Sequence, residues 1–257
     1  MMASIIRIDW IDDRSSRKLS FMTLLLAFLG LLAGVLTTLA GQGGGLFLLL
    51  LCSVLVGPRA ALAITAPALL LGNLHRAVLF RHAIDRPVAV RMILGAVPGA
   101  FVGGFLAGRL PEWVLHVLLV GLTALALARA MRWLAFRVPR RALGPAGFAI
   151  GALTGTSGGA GVLFAPVLLS TGLEGRAFVG TIASVAFATH LGRVVAYSSS
   201  GLFTRELLLP IVAVALAITV GNALGERVRA RLSDSATMRL EYGVLVVCAG
   251  VSLLGLG

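Results

Sequence analysis

Runs of uncharged apolar residues, many as long as a membrane is thick, are the feature that most constrains this chain. A helix that crosses the roughly 30 Å hydrocarbon core of a bilayer needs about 20 residues, and most of the runs reach that length. We therefore expect an all-α integral membrane protein. The runs are 21–41, 44–56, 60–80, 88–108, 112–131, 145–171, 177–197, 205–225 and 237–256.

The composition excludes several classes of protein. Of the 257 residues, 58% are hydrophobic and only 12% are charged, whereas a soluble domain has about 25% charged residues. The net charge of +12 comes from arginines clustered between the apolar runs, a pattern typical of cytoplasmic loops and not of a nucleic-acid surface. Cys52 and Cys248 both lie within apolar runs, so no disulfide framework, metal site or cofactor is expected.

The chain contains an internal duplication. Residues 34–80 align without a gap with residues 151–197, and a repeat of this kind indicates two copies of one structural unit. The matched pairs include Gly34/Gly151, Thr37/Thr154, Gly41/Gly158, Gly44/Gly161, Leu46/Leu163, Phe47/Phe164, Ser53/Ser170, Arg59/Arg176 and Arg76/Arg193.

The arginine-rich links around 75–91, 129–141 and 227–239 are expected to be cytoplasmic. One arrangement satisfies this bias: two inverted repeats, each a spanning helix, a glycine-tipped re-entrant hairpin and two further helices. It places hairpins at about 44–75 and 161–192 and the N-terminus outside. Eight ordinary spans in parallel repeats are the alternative.

The expected divisions are an N-terminal polar segment (1–20), repeat 1 (21–133), a basic cytoplasmic linker (134–144) and repeat 2 (145–257).

Two glycine-rich segments, GQGGGLF at 41–47 and GTSGGAGVLF at 155–164, are chemically unusual. Glycine allows a helix to unwind at membrane depth, where freed N–H groups must line a wet cavity or be buried in protein. A helix that starts after each cluster directs its positive end at that cavity, which favours an anion. Gln42, Thr156 and Ser157 add side-chain donors. Close helix packing is the alternative role for these glycines.

The ionisable residues also favour an anionic ligand. No Asp or Glu lies near the middle of an apolar run, whereas a carrier of cations usually needs a buried carboxylate. What remains is His75, the duplicated pairs Arg59/Arg176 and Arg76/Arg193, and Asn73, which aligns with His190. Such groups suit an oxyanion. Snorkelling or structural roles are the alternatives for these side chains. The predicted substrate-binding residues are Gln42, Gly43, Gly44, Gly45, Asn73, Arg76, Thr156, Ser157, Gly158, Gly159, His190 and Arg193.

The run ending in GGG at 43–45, the motif TSGGAGVLFAP at 156–166 and the duplication resemble the TauE/SafE family of sulfite exporters over about residues 24–256. The resemblance implies a multi-pass transporter of the bacterial inner membrane that exports sulfite and related organosulfonates. It also implies that Gly43–Gly45 and Ser157–Gly159 line the substrate path. The first repeat departs from the family pattern, with Leu48-Leu49 where the second has Ala165-Pro166, which puts symmetric use of the two hairpins in doubt.

The sequence thus predicts a secondary transporter of small anions with no enzymatic activity, and His190 is the candidate for proton coupling. Its expected partners are the bilayer, a small anion and a second copy of the chain as a homodimer. Three alternatives stay open. The G-x-S-G turn at 155–158 with His190 is similar to the Ser–His dyad of rhomboid proteases. In the first repeat Ala40 and Asn73 occupy the positions of Ser157 and His190, so the duplication preserves the glycine break and not the dyad. The others are a cation transporter and an assembly factor without transport.

Overall fold

The computed structural model describes residues 13–40, 44–130 and 138–229, together with four single positions between 243 and 250. Within these ranges the regular secondary structure is helical and no strand occurs. Apart from those four positions, the predicted segment 237–256 lies outside the described residues, as do the first twelve residues and part of the basic linker. The α-helices are α1 (Asp13–Ala40), α2 (Gly44–Val56), α3 (Pro58–Leu79), α4 (Arg86–Ala107), α5 (Glu112–Ala130), α6 (Leu143–Ser157), α7 (Phe164–Leu169), α8 (Gly175–Ser199) and α9 (Leu208–Arg229).

Five of the described helical stretches are long and apolar enough to cross a membrane. They coincide with α1, α3, α4, α8 and the segment that contains α9. Their outward faces carry large apolar side chains such as Leu94, which is 71% exposed, and Leu216, which is 62% exposed. Surface of this kind is stable in lipid and not in water. The predicted class, an all-α integral membrane protein, is confirmed.

The short apolar run at 44–56 forms the short helix α2 over the same residues. The run at 145–171 does not form one continuous helix, because the structure divides it after Ser157. Gly158 adopts a left-handed conformation (φ 77°) and ends α6 after 15 residues, a length of about 22 Å. A 3₁₀ turn at Ala160–Leu163 and the short α7 follow.

The expected hairpins at 44–75 and 161–192 also need correction. Their second arms belong to α3 and α8, which continue to Leu79 and Ser199 and are long enough to cross the bilayer. A glycine with positive φ marks the start of each helix: Gly57 (83°) precedes α3, and Gly175 (54°) is the first residue of α8. Pro67 lies inside α3 without ending it, because neighbouring helices can compensate a proline in a membrane helix.

Glycines spaced four residues apart bring two pairs of helices into backbone contact. On α4 and α6, a methyl group at Gly99 would overlap the carbonyl of Phe148, and one at Gly151 would overlap that of Ala96. On α1 and α9, a methyl group at Gly34 would overlap the carbonyl of Ile218. Small residues at such spacing allow close approach where lipid provides no hydrophobic drive for helix association.

Contacts at the helix ends define the directions of α3, α4 and α8. The Arg59 side chain at the start of α3 donates to the Leu110 carbonyl just beyond the end of α4, so α3 and α4 are antiparallel. The Asp85 N–H before α4 donates to Thr181 near the start of α8. Gly104, near the end of α4, lies beside Tyr197, near the end of α8, so α4 and α8 are parallel. The repeat-equivalent helices α3 and α8 therefore run in opposite directions.

Candidate functional site

The glycine break of the second repeat forms one wall of the site. Gly158 follows the last residue of α6, and its N–H donates to the Thr154 carbonyl at 2.8 Å. Its left-handed backbone is typical of the glycine that follows a helix. The chain then continues through Gly159 into the turn at 160–163, whose residues Ala160, Val162 and Leu163 are buried.

The start of α2 forms the opposite wall. Gly44 packs against α1, where a methyl group would overlap the Thr37 hydroxyl and the Ala33 carbonyl. Gly45 faces α3, with its ideal Cβ position 3.1 Å from a methyl carbon of Leu69. Gln42 and Gly43 lie outside the described residues.

A cavity of about 80 Å³ lies between these two walls and is also lined by α3 and α8. A single water needs about 10–15 Å³ of such space, so the volume is sufficient for a small oxyanion or several waters. Six of the predicted residues line it: Gly45, Asn73, Arg76, Gly158, Gly159 and His190. The other lining residues are Thr37, Leu46, Leu69, Gly161, Val162, Ile182 and Ala186.

The polar lining is rich in hydrogen-bond donors. Arg76 is only 6% exposed and carries a permanent positive charge. The Asn73 amide donates one N–H to the Leu69 carbonyl at 2.8 Å and has a second N–H to offer. His190 is also 6% exposed. The carboxylates at 85, 112, 174, 206 and 226 are not buried, so no buried carboxylate opposes these donors in the described part of the chain.

A second cationic group lies directly behind the cavity wall. The Arg193 side chain is fully buried, with its Nε donating to the Tyr197 hydroxyl at 3.2 Å. Its Nη1 lies 2.9 Å from Nδ1 of His190. Its Nη2 has no hydrogen-bond partner among the described residues. The Tyr197 hydroxyl donates in turn to the Gly155 carbonyl on α6, at 2.6 Å.

Of the other predicted residues that the structure describes, Gly44, Thr156, Ser157 and Arg193 do not line the cavity. The Thr156 and Ser157 hydroxyls donate to carbonyls one turn earlier in α6, those of Ala152 and Leu153. Ser157 is thus bonded within its own helix while His190 is bonded to Arg193. The side chains therefore are not arranged as the Ser–His pair that a serine protease needs.

The duplicated arginines Arg59 and Arg176 do not line the cavity. Arg59 donates to the Leu110 carbonyl at 2.7 Å, a structural link between α3 and the end of α4. Arg176 is exposed at the start of α8. His75 is half-buried and does not line the cavity. In the described part of the chain, no group of three His, Cys, Asp or Glu side chains is placed to hold a metal ion.

Sequence reasoning missed several residues that complete the site. Leu69, Ile182 and Ala186 lie one or two helical turns before the predicted residues Asn73 and His190, and the i, i+3/i+4 spacing of a helix face would have included them. Tyr197 lies one turn after Arg193 and was accessible to the same rule. Thr37 is half of the duplicated pair Thr37/Thr154.

Comparison with known proteins gives the family. The model of the sulfite exporter TauE/SafE family matches residues 26–253. No curated protein matches the chain significantly, and no solved structure does. The family match covers nearly the whole chain, including all the cavity residues, and it agrees with the several membrane-length helices. The chain belongs to the TauE/SafE family of sulfite exporters and is a multi-pass membrane protein of transporter type.

Proposed function

We propose that this chain carries small anions, such as sulfite or organosulfonates, out of the cell by alternating access of two inverted repeats. The family supplies the general activity, which is transport of a small anion across a membrane. The choice among substrates and the mechanism of transport are inferred from the cavity and from the helix directions.

The observation that carries the proposal is the excess of positive charge and donors at the cavity. Arg76 lines it and Arg193 lies behind it, while the described part of the chain provides no buried carboxylate. A guanidinium group attracts an anion more strongly in buried, less polar surroundings than in water. It also donates charge-assisted hydrogen bonds to the oxygens of an oxyanion.

The hydrogen bond between Arg193 and His190 fixes the role of the imidazole. A guanidinium group has no acceptor, so Nδ1 of His190 accepts this hydrogen bond and the ring is neutral. The ring proton is then on Nε2, so His190, which lines the cavity, has one N–H to offer. This tautomer favours an anion over a cation such as sodium.

Alternating access is supported by the relation between the repeats. The equivalent helices α3 and α8 run in opposite directions and both line the cavity. Each repeat also supplies a glycine-flanked segment to the wall. Inverted-repeat transporters use such an arrangement to open one central site to either side of the membrane in turn.

A flux assay in proteoliposomes tests the proposal directly. Purified protein is reconstituted and supplied separately with sulfite, sulfoacetate, sulfate, chloride and sodium. We expect flux of sulfite or sulfoacetate above that of protein-free liposomes, with little flux of sodium. Flux of sodium alone would overturn the anion assignment.

A further inference from the structure

The two buried arginines occupy equivalent positions in the repeats but different surroundings. Arg76 on α3 aligns with Arg193 on α8 at the repeat offset. Arg76 lines the cavity, whereas Arg193 is completely buried and does not. Two positions related by the duplication are therefore found in two different states within one structure.

Gly158 lies between Arg193 and the cavity. It lines the cavity, and its ideal Cβ position is only 3.0 Å from Nη2 of Arg193. That Nη2 is the atom without a hydrogen-bond partner among the described residues. A displacement of the break at 158–159 would expose this atom to the cavity with no rearrangement of the rest of the side chain.

The other contacts of Arg193 fix the position of its guanidinium group. Tyr197 engages Nε and His190 engages Nη1, so the guanidinium plane is fixed from two sides. A fully buried guanidinium with one unsatisfied nitrogen costs free energy in this state. The cost is recovered in a state where an anion oxygen reaches Nη2.

We propose that Arg76 and Arg193 serve in turn as the anion-binding arginine, one in each of the two access states. In the state seen here Arg76 faces the cavity and Gly158 covers Arg193. In the opposite state the break at 158–159 withdraws and Arg193 faces the cavity. The inference rests on the proposed anion transport and adds to it which residue binds the anion from each side.

The test measures the apparent KM for radiolabelled sulfite in membrane vesicles of both orientations. The variants are Arg76→Lys and Arg193→Lys, which keep the charge and remove the planar guanidinium fork. We expect each variant to raise KM about tenfold in one vesicle orientation and less than about twofold in the other. The tenfold increase corresponds to the loss of one charge-assisted hydrogen bond. The two variants should affect opposite orientations. Arg176→Lys, at an exposed position on the same helix α8, is the matched control and should leave both values unchanged.

Equal increases of KM from both sides, in both variants, would overturn the alternation, because both arginines would then bind the anion in the same state. No change from either side in Arg193→Lys would also overturn it. Lack of sulfite flux in wild-type vesicles would instead overturn the proposed function itself, and with it this inference. If Arg193→Lys does not fold, Tyr197→Phe replaces it, since this change removes the partner of Nε and should raise KM only on the side assigned to Arg193.

Discussion

Tyr197 joins the cationic group to the glycine break through one hydroxyl. That hydroxyl accepts from Nε of Arg193 and donates to the Gly155 carbonyl, three residues before Gly158. The tyrosine is fully buried, so neither of its partners has water as a substitute. The equivalent residue in the first repeat is Phe80, which has no such hydroxyl. The link is thus specific to the second repeat.

Tyr197→Phe should lower the free energy of unfolding by about 1–3 kcal/mol, because it leaves a buried carbonyl and a buried guanidinium nitrogen unsatisfied. Denaturant unfolding of the detergent-solubilised protein measures this change. Ser198→Ala is the control, since it removes a hydroxyl bonded only to the Val194 carbonyl on the exposed side of α8. A loss no larger than that of the control would contradict the role of Tyr197.

The duplication and the lack of acidic groups directed attention to three residues that the structure brings to the cavity. Asn73, Arg76 and His190 were identified in this way and do line the cavity. Thr156 and Ser157 were expected to donate into the site, but in a helix a hydroxyl readily bonds the carbonyl one turn back. The i, i+4 spacing of a helix could have paired Tyr197 with Arg193. The bond from Tyr197 to Gly155 spans 42 residues, and no local pattern reports such a contact.

At the scale of the elements, the glycines of this chain have two different structural roles, which the glycine content alone does not distinguish. Gly158 ends a helix through its positive φ. Gly95, Gly99 and Gly103 remain helical and allow α4 to contact α6 directly. A side chain at the first kind of position strains the backbone, whereas one at the second kind separates two helices.

Gly99→Val should disrupt the contact between α4 and α6, because its methyl groups would overlap the backbone of Phe148 and Ala152. Overpacking of this kind costs about 1–3 kcal/mol or more. Thermal unfolding with size-exclusion chromatography in detergent measures the effect, and we expect a lower unfolding temperature and a smaller monodisperse fraction.

Gly121→Val is the matched control, since Gly121 is an exposed glycine of α5 with open space around it. It should behave nearly as wild type in both measurements. Equal damage from the two substitutions would mean that the α4–α6 contact has no special importance for stability.

The element boundaries were predicted where an apolar run ends at a charged or glycine-rich link. This applies to α2 and, within a few residues, to α4. The ends of the hairpins were not predicted, because an uninterrupted apolar run allows a helix to continue and the sequence contains no stop before Leu79 or Ser199. The break after Ser157 depends on the left-handed backbone of Gly158, which was only one of several glycines in that segment.

At the scale of the whole molecule, packing follows the duplication. The pair α1 and α9 in contact corresponds by the repeat offset to the pair α6 and α4, which is also in contact. Buried Asn222 on α9 reinforces the first pair, with hydrogen bonds to Thr38 of α1 and to Gly72 of α3. The two halves thus use the same helix contacts with different polar links.

Inverted repeats predict opposite sides for two links. A reporter inserted near Ile84, in the arginine-rich link before α4, should be cytoplasmic, and one near Ser200, after α8, should be outside. Alkaline phosphatase and fluorescent-protein fusions distinguish the two sides. A third reporter near Arg140 is the control and should be on the same side as Ile84. Ile84 and Ser200 on one side would favour parallel repeats.

The sequence by itself determined the membrane environment, the duplication and the family, and it predicted an anionic ligand. These follow from apolar length, repeated spacing and the placement of charge, all of which can be read along the chain. Only the tertiary structure decided that Arg76 lines the cavity while Arg193 lies behind Gly158, and that a tyrosine links this arginine to the break. The physical reason is that burial and hydrogen bonding between helices depend on how α3, α6 and α8 pack, and two equivalent arginines in the sequence carry no information about which of them faces the cavity.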